Sequence, residues 1–148
     1  MPDPFLTAAI AEARKSLASG GIPIGSVLVL DDVIIGRGHN QRVQQGSVIR
    51  HAEMDCLENA GRRPAREYQR CVLYSTLCPC AMCSGAAVLY KIPRIVVGEN
   101  RNFPGSEEYV RLQGIDVDIR DDAECVRMMA DFIREHPDLW FEDIGEPS

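Results

Sequence analysis

Two short stretches hold the residue types that do metal chemistry. His51-Ala52-Glu53 sets an imidazole and a carboxylate two positions apart, and Pro79-Cys80-Ala81-Met82-Cys83 sets two cysteines at i and i+3 behind a proline. Cysteines so spaced in a first helical turn project their sulfurs to one side, where the helix N-terminus favours thiolates. With His51 they make three ligands for one Zn²⁺ per chain. A structural zinc site closes with a fourth protein ligand, whereas three leave a position for water and are the pattern of a catalytic site. Glu53 is turned off the bonding vector of the imidazole yet stays near that open position, so it is the candidate catalytic group, a proton shuttle for the zinc-activated water. A C-x-x-C alone also serves as a redox pair, but no βαβ unit precedes this one, and both thiols are ready ligands. A zinc-stiffened binding module without turnover is the competitor from another class. Such a site has no use for a carboxylate beside an open coordination position.

The elements that position these residues follow from the hydrophobic pattern. Leu6, Ala9, Ile10, Ala13 and Leu17 give helical spacing over Asp3 to Ser19, with Gly20-Gly21 as the stop. Ile24 to Leu30 and Val33 to Gly36 read as a hairpin turned at Asp31-Asp32. A second helix is expected from about Ile49 to Asn59, with the metal-site histidine near its start. Cys71 to Thr76, the small-residue helix Cys80 to Tyr90 and Arg94 to Gly98 form a β-α-β unit with parallel strands. Glu107 to Leu112 is a short helical pattern, Ile115 to Ile119 an edge strand, and Asp122 to Glu135 a capped amphipathic helix. The stretch Pro137 to Glu146 is aromatic, then acidic. These alternations predict one domain over residues 1–148, a three-layer α/β/α sandwich on a mixed central sheet of about five strands.

Composition narrows the partners. The 148 residues are 45% hydrophobic and 26% charged, values of an ordinary globular chain. Lys and Arg number 16 against 22 Asp and Glu, a net charge of -6, so no global positive field draws a nucleic acid backbone or an anionic membrane. The start of the chain carries no basic and apolar leader pattern, and no apolar stretch is long enough to span a bilayer. A cytoplasmic protein is expected. In that reducing setting Cys56, Cys71 and Cys125 fall at apolar positions of elements and read as inert core.

The joined H-x-E and P-C-x-x-C patterns match the zinc nucleobase-deaminase signature. The chain resembles the fungal-type cytosine deaminases, a branch of the cytidine deaminase superfamily. The resemblance runs through Gly20-Gly-Ile-Pro-Ile-Gly25, Gly36-Arg-Gly-His-Asn40, His51-Ala-Glu53, Leu57-Glu-Asn59, Pro79-Cys-Ala-Met-Cys83, Ile92 to Asn100 and Trp140-Phe-Glu-Asp-Ile-Gly-Glu146. It implies a cytidine deaminase-like fold and hydrolytic deamination of the free base cytosine to uracil and ammonia, as in pyrimidine salvage. It also implies a homodimer, with a small nucleobase as substrate and no nucleic acid or membrane partner. By position it implies that Asn40 meets the carbonyl at C2, that Asp143 accepts the ring N1–H, which a nucleoside lacks, and that Phe103 and Trp140 pack over the ring. Two positions depart from the pattern. Ala52 stands where these relatives have glycine, and the contact implied there is its backbone N–H. Cys78 stands where they have serine. Pro79 and an extended backbone are expected to turn its sulfur aside and leave its carbonyl to accept the substrate amino group.

Deamination of another free base or base-like ring, such as guanine, isocytosine or a creatinine-type amine, is the alternative within the enzyme class. A tRNA adenosine deaminase shares the zinc pattern, but a basic surface is expected of it.

Overall fold

The computed structural model describes residues 2–147; positions 1 and 148 of the expected domain lie outside the described residues. Its elements are α1 (Pro4–Ala18), β1 (Gly25–Leu30), β2 (Val33–His39), α2 (Arg42–Gln45), α3 (Ala52–Ala60), α4 (Ala65–Tyr68), β3 (Cys71–Ser75), α5 (Ala81–Leu89), β4 (Arg94–Val97), α6 (Glu107–Leu112), β5 (Asp116–Ile119), α7 (Ala123–Glu135) and α8 (Pro137–Asp143). Helix α1 starts where Asp3 accepts the Phe5 amide at 2.9 Å and Pro4 takes the first helical position, which needs no N–H. Asp31 and Asp32 both adopt positive φ, at 51° and 62°, the conformation a two-residue hairpin turn demands and aspartate tolerates.

The sheet runs β2-β1-β3-β4-β5, with β1 antiparallel to β2 and β3, and with β3, β4 and β5 parallel. Side chains alternate across it. Leu28, Leu73, Ile95 and Val117 lie in register and bury one face with Cys56 of α3, Ala87 of α5 and Val110 of α6. Val27, Tyr74 and Val96, one residue offset, bury the other with Leu6, Ala9 and Ile10 of α1 and Cys125 of α7. A one-residue slip would exchange the two faces, and each large aliphatic side chain kept from water contributes about 1.5–3 kcal/mol. The result is the expected α/β/α arrangement on a five-stranded mixed sheet. No helix among the described residues is long and apolar enough to cross a membrane.

A third cluster sits past the carboxyl ends of β3 and β4. Ile22, Ile24, Ala52, Leu77, Met129, Phe132 and Trp140 meet there, with Phe103 and Ile144 packed against them. Three local expectations change. Strand β2 continues past Gly36 to His39, because Gly38 pairs with Ser26 and has no side chain to keep α3 away. A Cβ on Gly38 would stand 2.3 Å from the Cys56 amide nitrogen. Helix α3 begins at Ala52 instead of near Ile49: His51 is extended, and the Arg50 carbonyl is taken by the Gln41 amide at 2.9 Å. The chain after residue 136 forms helix α8, opened by Pro137 at its first position.

Candidate active site

Helices α3 and α5 both begin at the carboxyl end of the sheet, and each contributes ligands where its backbone N–H groups have no helical partner. His51 is the N-cap of α3 and Cys80 the N-cap of α5, with Cys83 in the first turn of α5. The His51 Nδ1 lies 3.4 Å from Cys80 Sγ and 3.8 Å from Cys83 Sγ, and the three ligand atoms are all within 4.8 Å of one another. A tetrahedral zinc with Zn–S near 2.3 Å and Zn–N near 2.0 Å requires N···S edges of about 3.5 Å. The donor set fits zinc in both chemistry and spacing. Cys78 is not in this cluster: its side chain packs in the core that includes Leu73, Ile95 and Val110.

The thiols divide their protons unevenly. A hydrogen bond from Cys83, then one from His51, holds Cys80 down to about 4 despite burial, and the same Cys80 contact with burial pushes Cys83 well up. Burial works against a charged His51, yet the Cys80 thiolate, Asp143 and Glu53 raise it to about 9. A divalent cation displaces such protons when it binds. Glu53 is buried beside them, and desolvation with the Cys80 charge lifts its carboxyl to about 7.

His51 is aimed by the far end of the chain. Its Nε2 donates to the backbone carbonyl of Asp143 at 3.1 Å, which leaves Nδ1 free for metal. The Asp143 side chain turns back into the same region. Its Oδ1 accepts from Asn40 Nδ2 at 3.0 Å and lies 3.5 Å from His51 Nε2, while Oδ2 has no hydrogen-bond partner among the described residues. Burial raises the Asp143 carboxyl, against the pull of His51, Asn40 and Arg42.

His51, Glu53, Cys78, Cys80, Phe103, Trp140 and Asp143 line one cavity, as do Ile24, Leu77 and Ile144. Its volume is about 20 Å³, space for about one water. Phe103 meets Trp140 edge to face, with centroids 5.5 Å apart and planes at 87°. Those rings wall one side of the cavity. Gly105 (φ 60°) holds the Phe103 loop against the Cys78–Pro79 carbonyls, where a Cβ would come within 2.4 Å of the Pro79 oxygen. Asn40 does not line the cavity. It is fully buried behind Asp143, with its Oδ1 taken by the Arg42 amide at 3.0 Å and one amide hydrogen still unused. Ala52 is also fully buried, and its N–H is an orphan donor at the start of α3.

The sequence reading missed Ile24, Leu77, Ile144 and Arg42. Leu77 and Ile144 adjoin Cys78 and Asp143, and Arg42 stands two residues after Asn40, the spacing of an Asx turn.

Residues 2–99 match the cytidine and deoxycytidylate deaminase zinc-binding region. The chain belongs to that family. It is 50% identical to the cytosine deaminase of Candida albicans over 142 residues, 95% of each chain. It is also 40% identical to a tRNA-specific adenosine deaminase of Streptococcus pyogenes over 110 residues, 73% of this chain and 69% of that one. Among solved structures, a chain from work on A-to-I editing by tRNA:A34 deaminases superimposes with a TM-score of 0.72 at 28% identity, covering 84% of this chain and 98% of that one. The similarity to the Candida enzyme extends beyond the zinc-binding region, into the part that contains α7 and α8.

Proposed function

We propose that this chain is a zinc-dependent deaminase of the free base cytosine, converting cytosine and water to uracil and ammonia. The observation that carries the reading is the meeting, on one small cavity, of a zinc-type ligand set, the buried carboxylate of Glu53 and the tail carboxylate of Asp143. His51, Cys80 and Cys83 hold one zinc per chain. Zinc, when bound, supplies the Lewis acidity that brings the pKa of a coordinated water towards about 7.

The remaining chemistry belongs to the side chains. Glu53 takes a proton from the attacking water and passes it to N3, then takes the remaining proton from the hydroxyl now on C4 and passes it to the amino nitrogen as the C4–N bond breaks and the carbonyl forms, a shuttle suited to a buried carboxyl that desolvation has lifted. The Oδ2 of Asp143 accepts the ring N1–H, and the Cys78 carbonyl accepts from the amino group. The Ala52 N–H meets the oxygen at C2, and Asn40, behind Asp143, holds that carboxylate in place. Phe103 and Trp140 cover the ring and exclude water, which strengthens each polar contact inside. A ribose at N1 would collide with α8 and leave Asp143 without its donor.

One domain carries this activity, within a cytoplasmic homodimer serving pyrimidine salvage. Leu89 and Tyr90 at the end of α5 are exposed, beside a groove lined by Met54, Leu57 and Ala86, which suits pairing of copies through the α3–α5 layer. The test is ammonia release from cytosine and from cytidine by the zinc-loaded protein. A large preference for cytosine is expected. Equal rates would remove Asp143 from selection, and a preference for cytidine would overturn the free-base assignment.

A further inference from the structure

Among the described residues, every polar link from α8 to residues distant in the chain runs to Asn40, Arg42 or His51. Of these three, Asn40 and Arg42 are neither metal ligands nor on the cavity wall, and of those two only Arg42 carries a charge. Its side chain is nonetheless only 8% exposed. The guanidinium spans three directions: Nε donates to the Val48 carbonyl at 2.8 Å, Nη2 donates to Glu142 at 2.6 Å, and Nη1 lies 3.6 Å from Asp143 Oδ1. Its backbone N–H meanwhile donates to the Asn40 side-chain Oδ1 at 3.0 Å, and the Asn40 side-chain amide donates to Asp143 Oδ1 at 3.0 Å. Three of these contacts close a ring through Arg42, Asn40 and Asp143. The first two residues sit in the turn after β2, and the third lies at the end of α8.

We propose that Arg42 is a positioning residue for substrate selection, its guanidinium clamping the last turn of α8 onto the Asn40 turn so that Asp143 presents Oδ2 to the substrate ring at a fixed place. This rests on the reading of Asp143 as the acceptor of N1–H. Nη1 is buried and without a hydrogen-bond partner, an arrangement that native structures rarely keep without cause. Its hydrogen is within a small carboxylate rotation of Oδ1, so Asp143 can engage a ring N–H through one oxygen while Asn40 and Arg42 hold the other. Only a planar fork reaches Val48, Glu142 and Asp143 together; a lysine ammonium is a single point.

The clamp acts on selection, with the metal and Glu53 left in place. In Arg42→Gln, zinc should stay at one per chain, KM for cytosine should rise about tenfold with kcat within about threefold, and the cytosine-to-cytidine ratio of kcat/KM should fall by about 10-fold to 100-fold. Amide hydrogen exchange over residues 137–144 should speed up. Arg42→Lys keeps the charge and should fold if the glutamine variant does not, with a smaller fall in the same ratio. An unchanged ratio in a folded variant, or equal losses on both substrates with exchange unchanged, overturns the clamp. Wild-type protein that does not distinguish cytosine from cytidine overturns the Asp143 reading itself, and the clamp with it.

Discussion

The two sides of the cavity are built differently. On one side, His51, Cys80 and Cys83 stand at the starts of two nine-residue helices packed on the sheet, with Cys56 and Ala87 fully buried beneath them. On the other side, α8 is seven residues long, has no side-chain N-cap bond, and rests on Trp140 and a few polar links. Metal chemistry tolerates little displacement, since ligand positions must hold to a few tenths of an ångström. On the proposed reading, substrate selection falls to the wall that Phe103, Trp140 and Asp143 form on the cavity. On the same reading, the ligand side holds the reaction and the α8 side selects the base.

The strongest way to break this division is to remove a ligand. Cys80→Ala or Cys83→Ala leaves two protein ligands, so stoichiometric zinc and all measurable turnover should vanish together. Metal analysis by atomic absorption beside the activity assay checks it. Either variant retaining a full equivalent of zinc would falsify the ligand set.

Next in size is Glu53→Gln, which keeps volume and hydrogen-bonding shape while removing the base. Zinc should remain, and kcat should fall by about 10²-fold to 10⁴-fold or more. Loss of zinc in this variant would make Glu53 a ligand; near-normal turnover would take it out of the reaction.

Removing residues 137–148 sharpens the comparison from the other side. It deletes Trp140, Asp143 and the carbonyl that receives His51 Nε2. All three ligands lie before residue 84, so zinc should remain at micromolar metal, weakened by about 10-fold to 100-fold through the loss of the His51 acceptor. Cytosine kcat/KM should fall much further, and the expected discrimination against cytidine of about 10⁴-fold should collapse. If zinc and activity decline in step, the tail belongs to the metal site, and the division between the two sides fails.

The same division explains how much the sequence disclosed. The ligands were legible because helical spacing turns Cys80 and Cys83 to one side, and the sheet because Leu28, Leu73 and Ile95 alternate with Val27, Tyr74 and Val96. Helix α8 was not, since seven residues are too few for a periodic signal and its one marker, Pro137, also fits a loop. The short helices α2 and α4, of four residues each, were lost in loops for the same reason. The bond from His51 to the Asp143 carbonyl has no residue signature, because every residue carries that oxygen. Arg42 depends on partners about 100 positions away, which no local pattern encodes.

The smallest effect belongs to Cys78, which stands between the two sides. It lines the cavity, but it packs with Leu73, Ile95 and Val110 and makes no part of the ligand cluster. Burial pushes its thiol up to about 12, the condition of an inert core sulfur and not of a ligand. Cys78→Ser leaves the backbone carbonyl and the three ligands in place, so zinc content should be unchanged and kcat/KM should stay within about threefold. The hydroxyl enters a space shaped for sulfur. If it finds no partner there, it costs about 1–3 kcal/mol, which for a chain of this size lowers Tm by roughly 2–12 °C. Thermal melts of the zinc-loaded protein at neutral pH would show that shift with activity retained. A Cys78→Ser protein that purified without zinc would instead move Cys78 into the metal site, and the ligand side would then hold four ligands and no open position.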